Sequence, residues 1–143
     1  MPRKNKTFDI NLLLKDAGLV ASSAAATVSS SAKVLDLGTG EVAGDIIIDA
    51  SAVEVATGDE IYTICAEVSS SSTFASDIYR VAQLAIGDTV PLGGDVDMVE
   101  GRYVLPFINT IGNGVTKRYL RLYTVVAGTV ATGVNYTAFL AKK

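Results

Sequence analysis

Residues 117–126 read Lys-Arg-Tyr-Leu-Arg-Leu-Tyr-Thr-Val-Val, which is β-branched and aromatic and contains neither proline nor glycine. This composition is typical of a β-strand. After a small-residue break at Ala127-Gly128-Thr129, residues 133–140 read Gly-Val-Asn-Tyr-Thr-Ala-Phe-Leu, a second run of the same kind. Two such runs joined by a short glycine-containing link predict an antiparallel hairpin that closes a β domain.

The first of these strands has two different faces, because side chains alternate along a strand. One face carries Leu120 and Leu122, and we expect it to lie in the core. The other face carries Tyr119, Arg121 and Tyr123, which we call the Tyr/Arg stripe. Tyrosine and arginine are enriched at interface hot spots, so the stripe is a candidate contact surface. Two other interpretations remain open: the sandwich covers both faces, or the stripe is merely solvated.

Strand-like segments recur through the rest of the chain, separated by glycine- and serine-rich turns. They are 45–49, 52–56, 61–68, 77–84 and 102–108. Residues 45–56 form one long strand or two strands around a kink, and Pro106 places its strand at an edge or a bulge. The Ala/Ser-rich stretch 17–32 is expected to be extended, because its serines compete for the backbone of a helix. The sequence therefore predicts an all-β fold, an antiparallel β-sandwich of about eight strands.

The N-terminus differs in character from the rest. Residues 1–14 lack a clear period and are predicted to be an extended arm, whereas residues 15–143 are predicted to be a single β domain. The arm is either a flexible tail or a segment that becomes ordered against a partner. Its candidate contact residues are Arg3, Lys4, Lys6, Phe8 and Ile10.

Composition limits the class of protein. The chain has 143 residues, of which 49% are apolar and 19% charged, so it can bury a core and is not disordered. Its net charge of −3 argues against nucleic acid as a direct partner. No apolar run reaches the length of a membrane span or of a signal-peptide core, so we expect a soluble protein without a cleaved signal.

Most catalytic chemistry is missing from the sequence. There is no histidine, which removes Ser-His-Asp and Cys-His catalysis and histidine-ligated metals. The single cysteine, Cys65, is expected to be a small buried residue rather than a nucleophile. The sequence predicts that the protein is not an enzyme and needs no cofactor or metal.

Two motifs could suggest otherwise. Residues 34–40, Val-Leu-Asp-Leu-Gly-Thr-Gly, resemble the first nucleotide-binding motif of S-adenosylmethionine-dependent methyltransferases. That motif requires a helix N-terminus after the turn, and a strand is predicted instead. The loop from Gly93 to Asp97, with Glu100 nearby, could hold Ca²⁺ but lacks EF-hand spacing. A small ligand-binding β-sandwich module, for carbohydrate or Ca²⁺, is therefore the alternative function.

Three segments carry a resemblance to a known family. They are residues 14–20 (Leu-Lys-Asp-Ala-Gly-Leu-Val) with 34–38, residues 61–68 with the polar loop after them, and residues 102–106 with 118–123, 132–133 and 138–140. Together they resemble the Bbp16-type capsid cement, or decoration, proteins of tailed bacteriophages. The resemblance spans most of residues 12–140.

This resemblance implies a β jellyroll on the outer surface of an icosahedral head. There the protein would bridge major capsid proteins of the HK97-like fold, as a homo-oligomer, with a dimer favoured and a trimer possible. It would be made in the host cytoplasm and reside in the virion. Such a structural role needs no catalytic residues, and many weak contacts add up when a protein is present in many copies.

Overall fold

The computed structural model describes residues 7–94 and 96–142, and it contains two five-stranded antiparallel sheets and a small two-stranded one. The first sheet comprises β1 (Leu13–Lys15), β2 (Leu19–Val20), β7 (Ala43–Val53), β10 (Gly101–Ile108) and β12 (Val134–Lys142). The second comprises β3 (Ala24–Ala25), β6 (Leu35–Asp36), β8 (Ile61–Ser69), β9 (Tyr79–Gly87) and β11 (Tyr119–Ala127). The small sheet pairs β4 (Thr27–Val28) with β5 (Ser31–Ala32).

The predicted fold class is confirmed: the protein is an all-β antiparallel sandwich, an arrangement compatible with a jellyroll. Strand β7 runs unbroken through residues 43–53, so of the two alternatives predicted for residues 45–56 the single long strand is the one observed, and it ends at Val53. Strand β10 lies at a sheet edge, as Pro106 predicted, because proline has no N–H to give to a further strand. The Ala/Ser-rich stretch is extended, but it forms several two-residue strands rather than one long one.

The predicted hairpin of residues 117–140 is wrong. Strand β11 pairs with β8 in the second sheet, whereas β12 pairs with β7 in the first. The link between them therefore crosses from one sheet to the other. Stacked sheets lie roughly 10 Å apart, and residues 128–133 can span about 20 Å when extended. The link is long enough for either connection, so its length did not decide between them.

Carboxylates from the loop after β7 hold this crossing in place. Glu54 accepts hydrogen bonds from the backbone N–H groups of Ala131, Thr132 and Gly133 at 2.7–3.2 Å. Asp59 accepts from both the N–H and the hydroxyl of Thr129, at 2.9 and 3.0 Å. These bonds lower the pKa of both carboxyls, Glu54 chiefly through the Gly133 N–H and Asp59 chiefly through the Thr129 N–H. The N–H groups of Thr129 and of residues 131–133 are thus satisfied without a partner strand.

The core lies between the two sheets. Leu120 and Leu122 have no exposed surface, which confirms that the leucine-bearing face of β11 points inward. Facing them from the first sheet is Tyr136, whose hydroxyl lies 2.6 Å from that of Thr124 on β11. Burial raises the pKa of Tyr136 to about 12, although the bond to Thr124 opposes the shift. A buried hydroxyl pair therefore links the two sheets.

The chain joins the first sheet earlier than the sequence suggested. Leu14 is fully buried in β1, so the predicted arm boundary at residue 14 falls within a strand. Lys15, although part of the basic N-terminus, is only 3% exposed. Its Nζ donates to the carbonyls of Asp16, Gly18 and Tyr136 at 2.9–3.0 Å. Burial lowers the pKa of this lysine, against the raising effect of Asp16. Lys15 is thus not available to a surface partner.

Between β9 and β10 the described residues contain one short helix, α1 (Thr89–Leu92), whose first turn is capped by the Asp88 side chain. Backbone hydrogen bonds of 2.9 Å in both directions join Met98 to Gly87 at the end of β9. A turn of 3₁₀ helix, Ile10–Leu12, precedes β1. No helix in the described part of the chain is long and apolar enough to cross a membrane.

Candidate interaction surfaces

The Tyr/Arg stripe lies on the outer face of the second sheet, where Tyr119, Arg121 and Tyr123 are each half-buried. Their neighbours across the sheet are Ser69, Glu67 and Cys65 of β8. The stripe is therefore brought together as the strand alternation predicted. It is not freely solvated, however, because other side chains cover part of it.

The main covering group is Glu67, a carboxylate that is only 3% exposed. Its Oε1 accepts from Nε of Arg80 on β9 at 2.9 Å, and its Oε2 accepts from Nε of Arg121 on β11 at 2.8 Å. One buried carboxylate is thus shared between arginines on both neighbouring strands. Charge-assisted hydrogen bonds of this length are among the strong ones in proteins.

Aromatic rings complete the enclosure of Arg121. Its guanidinium carbon lies 4.4 Å from the ring centre of Phe74 and 5.4 Å from that of Tyr123. Phe74 reaches the stripe from the loop between β8 and β9. Only 18% of the Arg121 side chain remains exposed. Arginine is attracted to aromatic faces in this geometry, so the stripe is a folded ion-pair and aromatic cluster within the chain.

Two further ion pairs flank the stripe. Arg118 donates to both carboxylate oxygens of Asp36 at 2.8 Å, and Lys117 donates to Asp77 at 2.8 and 3.0 Å. The bond from Arg118, followed by that from the Gly38 N–H, lowers the pKa of Asp36 to about 2. Asp36 belongs to the segment that resembled a methyltransferase motif. No helix follows the turn after it, since the next element is strand β7, so the interpretation as a plain strand and turn is correct.

The outer face of the first sheet carries one row of apolar side chains. Strand register aligns Leu13, Phe139, Ile47 and Val104 in one row across β1, β12, β7 and β10. The ring of Phe8 packs edge-on against Phe139, with ring centres 5.3 Å apart and planes at 85°. Offset and edge-to-face geometries are the favourable ones for aromatic pairs. We call these five residues the apolar strip.

The apolar strip is only partly covered. Ile47 is fully buried and Phe139 nearly so, but Phe8 is 54% exposed and Val104 45% exposed. Ile10, two residues after Phe8 in the sequence, is 64% exposed. Beside Phe8 a groove runs past Asp49 and Arg102, which form an ion pair with a shortest distance of 2.6 Å. Half-exposed aromatic and aliphatic side chains in one place are typical of a contact surface.

The predicted contact residues thus fall into two groups. The structure brings Phe8 onto the first sheet and gathers the Tyr/Arg stripe on the second, so the two groups occupy opposite outer faces of the sandwich. Arg3, Lys4 and Lys6 lie outside the described residues. Sequence reasoning missed Glu67, Arg80 and Phe74, which come from other strands and loops and carry no local signal.

The acidic side chains within the described ranges do not gather into a metal site. No cluster of three or more histidine, cysteine, aspartate or glutamate residues there could hold a metal ion. In the Gly93–Asp97 loop, Asp97 accepts a hydrogen bond from the Thr89 N–H at 3.0 Å, and Asp95 lies outside the described residues. Cys65 is fully buried, which raises the pKa of its thiol, so the expectation of a small buried residue is confirmed.

Glu60 is the most enclosed carboxyl in the loop after β7. It has no exposed surface, and burial by itself would raise its pKa. The hydroxyl and N–H of Thr57, with the N–H groups of residues 58 and 59, donate to it at 2.7–3.1 Å and lower the pKa to about 2. Its acceptor capacity is used to shape the loop, so it is a structural carboxylate.

No protein-family model matches the chain, and no curated protein matches it. The two outer faces and the resemblance found in the sequence are therefore the observations that bear on function.

Proposed function

We propose that this chain is a non-enzymatic β-sandwich that acts through its outer faces. More specifically, we propose a structural virion protein that cements the outside of a tailed-phage icosahedral head. Its partner would be the major capsid protein of HK97-like fold, with neither nucleic acid nor membrane contacted directly. The sequence resemblance suggests this role, and the surfaces described above are of a kind that suits it.

The observation that carries the proposal is the apolar strip. Phe8 packs edge-on against Phe139 yet leaves more than half of its own surface exposed, and Ile10 is more exposed still. An aromatic side chain fixed in place but half open is suited to anchor a partner, because little of its mobility is lost on binding. The basic residues Arg3, Lys4 and Lys6 precede Phe8 in the sequence and would extend the contact.

Bridging requires two separate surfaces, and the sandwich has two. The apolar strip lies on one outer face, and the Tyr/Arg stripe lies on the other. We propose that the strip makes the principal capsid contact. The stripe, whose arginines already share Glu67, would make a weaker one at its exposed rim.

The experiment compares phage heads with and without this protein. Empty heads made without it should bind the purified chain and become more resistant to heat and pressure, since added contacts favour the assembled state. No binding, or equal resistance of bare and decorated heads, would contradict the proposal.

A pair of variants locates the contact. Phe8→Ser should weaken binding to heads strongly, whereas Val115→Ser, which changes a similarly exposed apolar residue in the loop after β10, should not. Equal binding by both variants would exclude the apolar strip as the principal contact.

A further inference from the structure

A cleft lies at the seam between the two sheets, where β9, the last strand of the second sheet, runs beside β10, the last strand of the first. Its volume is about 280 Å³. Binding sites for drug-sized ligands measure roughly 300–1,000 Å³, so this cleft suits a smaller group, similar in size to one amino-acid residue. The residues of the apolar strip do not line it.

The walls of the cleft are mostly apolar. Val81 of β9 lines it together with Ile108 and Ile111, from β10 and the loop after it, and Ile108 is 39% exposed. Tyr79 forms a further wall and is 41% exposed, while the Nζ of Lys117 lies 4.9 Å from the centre of its ring. A cation at that distance attracts an aromatic ring. The chain therefore holds this ring in place although much of the residue is open to solvent.

Arg80 is the one charged residue among the described residues that line the cleft. Its Nε donates to Oε1 of Glu67 at 2.9 Å. Its two terminal nitrogens have no hydrogen-bond partner in the part of the chain that the structure describes, and the side chain is 47% exposed. The guanidinium thus keeps N–H donors that a ligand can use.

The charge of this neighbourhood is unbalanced as well. Glu67 is a single carboxylate that binds both Arg80 and Arg121, so one of the two positive charges has no counter-charge of its own. Arg121 is enclosed by aromatic rings and is 18% exposed, whereas Arg80 is 47% exposed. The uncompensated positive charge is therefore accessible at Arg80, in a chain whose net charge is −3.

We propose that this cleft binds a carboxylate joined directly to an apolar group, as found at a peptide C-terminus that ends in leucine or in a small organic acid. The terminal N–H groups of Arg80 donate to the carboxylate oxygens, because a guanidinium and a carboxylate can form two parallel hydrogen bonds. The apolar group packs against Ile108, Ile111 and Tyr79. The ligand supplies the second carboxylate that the two arginines lack.

The lining of the cleft favours a carboxylate over a phosphate. A phosphate ester carries a charge of about −1.5 to −2, and the described lining offers it one arginine among apolar side chains. A carboxylate carries a single charge, which matches the single uncompensated charge at Arg80. Burial of its apolar group against the walls is also favourable. The inference goes beyond the proposed function, because the cleft lies apart from the apolar strip and needs no capsid to bind its ligand.

Titration of the purified chain with N-acetyl-leucine, followed by calorimetry or by chemical shifts, tests the inference. The acid should bind, and its amide, N-acetyl-leucinamide, should bind about tenfold more weakly, because the amide has no charge to offer Arg80. Inorganic phosphate should displace the acid poorly. Equal binding of acid and amide, no binding of the acid, or tighter binding of phosphate would overturn the inference.

A longer probe distinguishes the two sources of such a carboxylate. An acetylated tripeptide that ends in leucine should bind more tightly than N-acetyl-leucine if the natural ligand is a peptide C-terminus, and no more tightly if it is a small acid. Both results support the carboxylate site. A tripeptide whose amidated form binds equally well would overturn it.

Substitutions locate the ligand in the cleft. Ile108→Glu places a negative charge beside the carboxylate and should weaken binding of N-acetyl-leucine about tenfold relative to Ile108→Gln, which has a similar size and no charge. Neither variant removes a partner of Glu67. Arg80→Gln should abolish binding. Equal affinities for the two Ile108 variants, or undiminished binding by Arg80→Gln, would overturn the inference. Failure of these titrations, with binding to heads retained, would leave the proposed function standing.

Discussion

The two outer faces of the sandwich differ in how far their side chains are already bonded within the chain. On the second sheet, the side chains compensate one another: Glu67 lies between Arg80 and Arg121. On the first sheet, Phe8 packs on Phe139 but stays 54% exposed. Both faces carry residue types that are enriched at interfaces, so residue type alone does not identify a contact surface. The faces are distinguished by how many of their side chains already have a charge partner or a packing partner within the chain.

This difference ranks the two candidate contact surfaces. The Tyr/Arg stripe has the composition of a hot spot, yet its central arginine has 18% of its side chain exposed and a buried counter-charge. The apolar strip has fewer residues of the types enriched at hot spots but leaves aromatic surface in contact with water. A partner gains more from covering exposed apolar area than from competing with an ion pair that is already formed.

The largest expected effect is that of Glu67→Ala. It leaves two arginines without their shared carboxylate, and breaking such a buried pair costs about 3 kcal/mol of unfolding free energy, at the lower end of the usual range since Arg80 is half exposed. Urea unfolding measures the loss. The exposed Glu100→Ala is the control and should change the midpoint little. A loss equal to that of the control would mean that the second face is not held by its ion pairs.

Ile47→Ala should cause the second-largest loss of unfolding free energy. Ile47 is fully buried although it lies on the outer face of the first sheet, and truncating a buried isoleucine costs about 2–3 kcal/mol. Val104→Ala, in the same row but 45% exposed, should cost about a third of that. Similar midpoints for both variants would show that the apolar strip is not covered as described.

Phe8→Ala should have a small effect on stability and a large one on binding to heads. The edge-on ring pair with Phe139 contributes about 1 kcal/mol. Thermal unfolding measures the first effect, and co-sedimentation with heads measures the second. A large drop in unfolding temperature with unchanged binding would reverse the roles assigned to the two faces.

Acid should weaken the second face by a small amount, through the pair of Asp36 and Arg118. The folded-state pKa of Asp36 is about 2, below its ordinary value of 3.8, because Arg118 stabilises the carboxylate. A lowered pKa means that this stabilisation is complete above pH 3.8 and is lost as the pH falls towards 2. Stability measured over this range should fall less in Asp36→Asn than in the wild type. An equal fall in both would show that the pair of Asp36 and Arg118 does not cause the loss of stability in acid.

Much of the fold was predictable because strand composition and alternation are local properties. The inward direction of Leu120 and Leu122 followed from alternation alone. The crossing from β11 to β12 was not predictable in this way, since it depends on Glu54 and Asp59, which lie 70 or more positions from the backbone groups they bind. A short glycine-containing link fits a hairpin and a crossing equally well.

The surfaces were predictable only in part, for the same reason. The stripe residues share a face because they alternate on one strand, but Glu67 reaches Arg121 from β8 and itself binds Arg80 of β9. Phe8 was a candidate as an aromatic residue in the arm, whereas its packing on Phe139 depends on how β1 joins β12. Contacts between distant segments leave no pattern in a single sequence.

The central claim is that the apolar strip is the surface that contacts the capsid. A density map of the chain bound to heads tests it most directly. We expect the protein to lie on the outside of the shell, with the face that carries Phe8 and Val104 against the capsid subunits. A chain bound with that face in solvent, or no density on the shell at all, would contradict it.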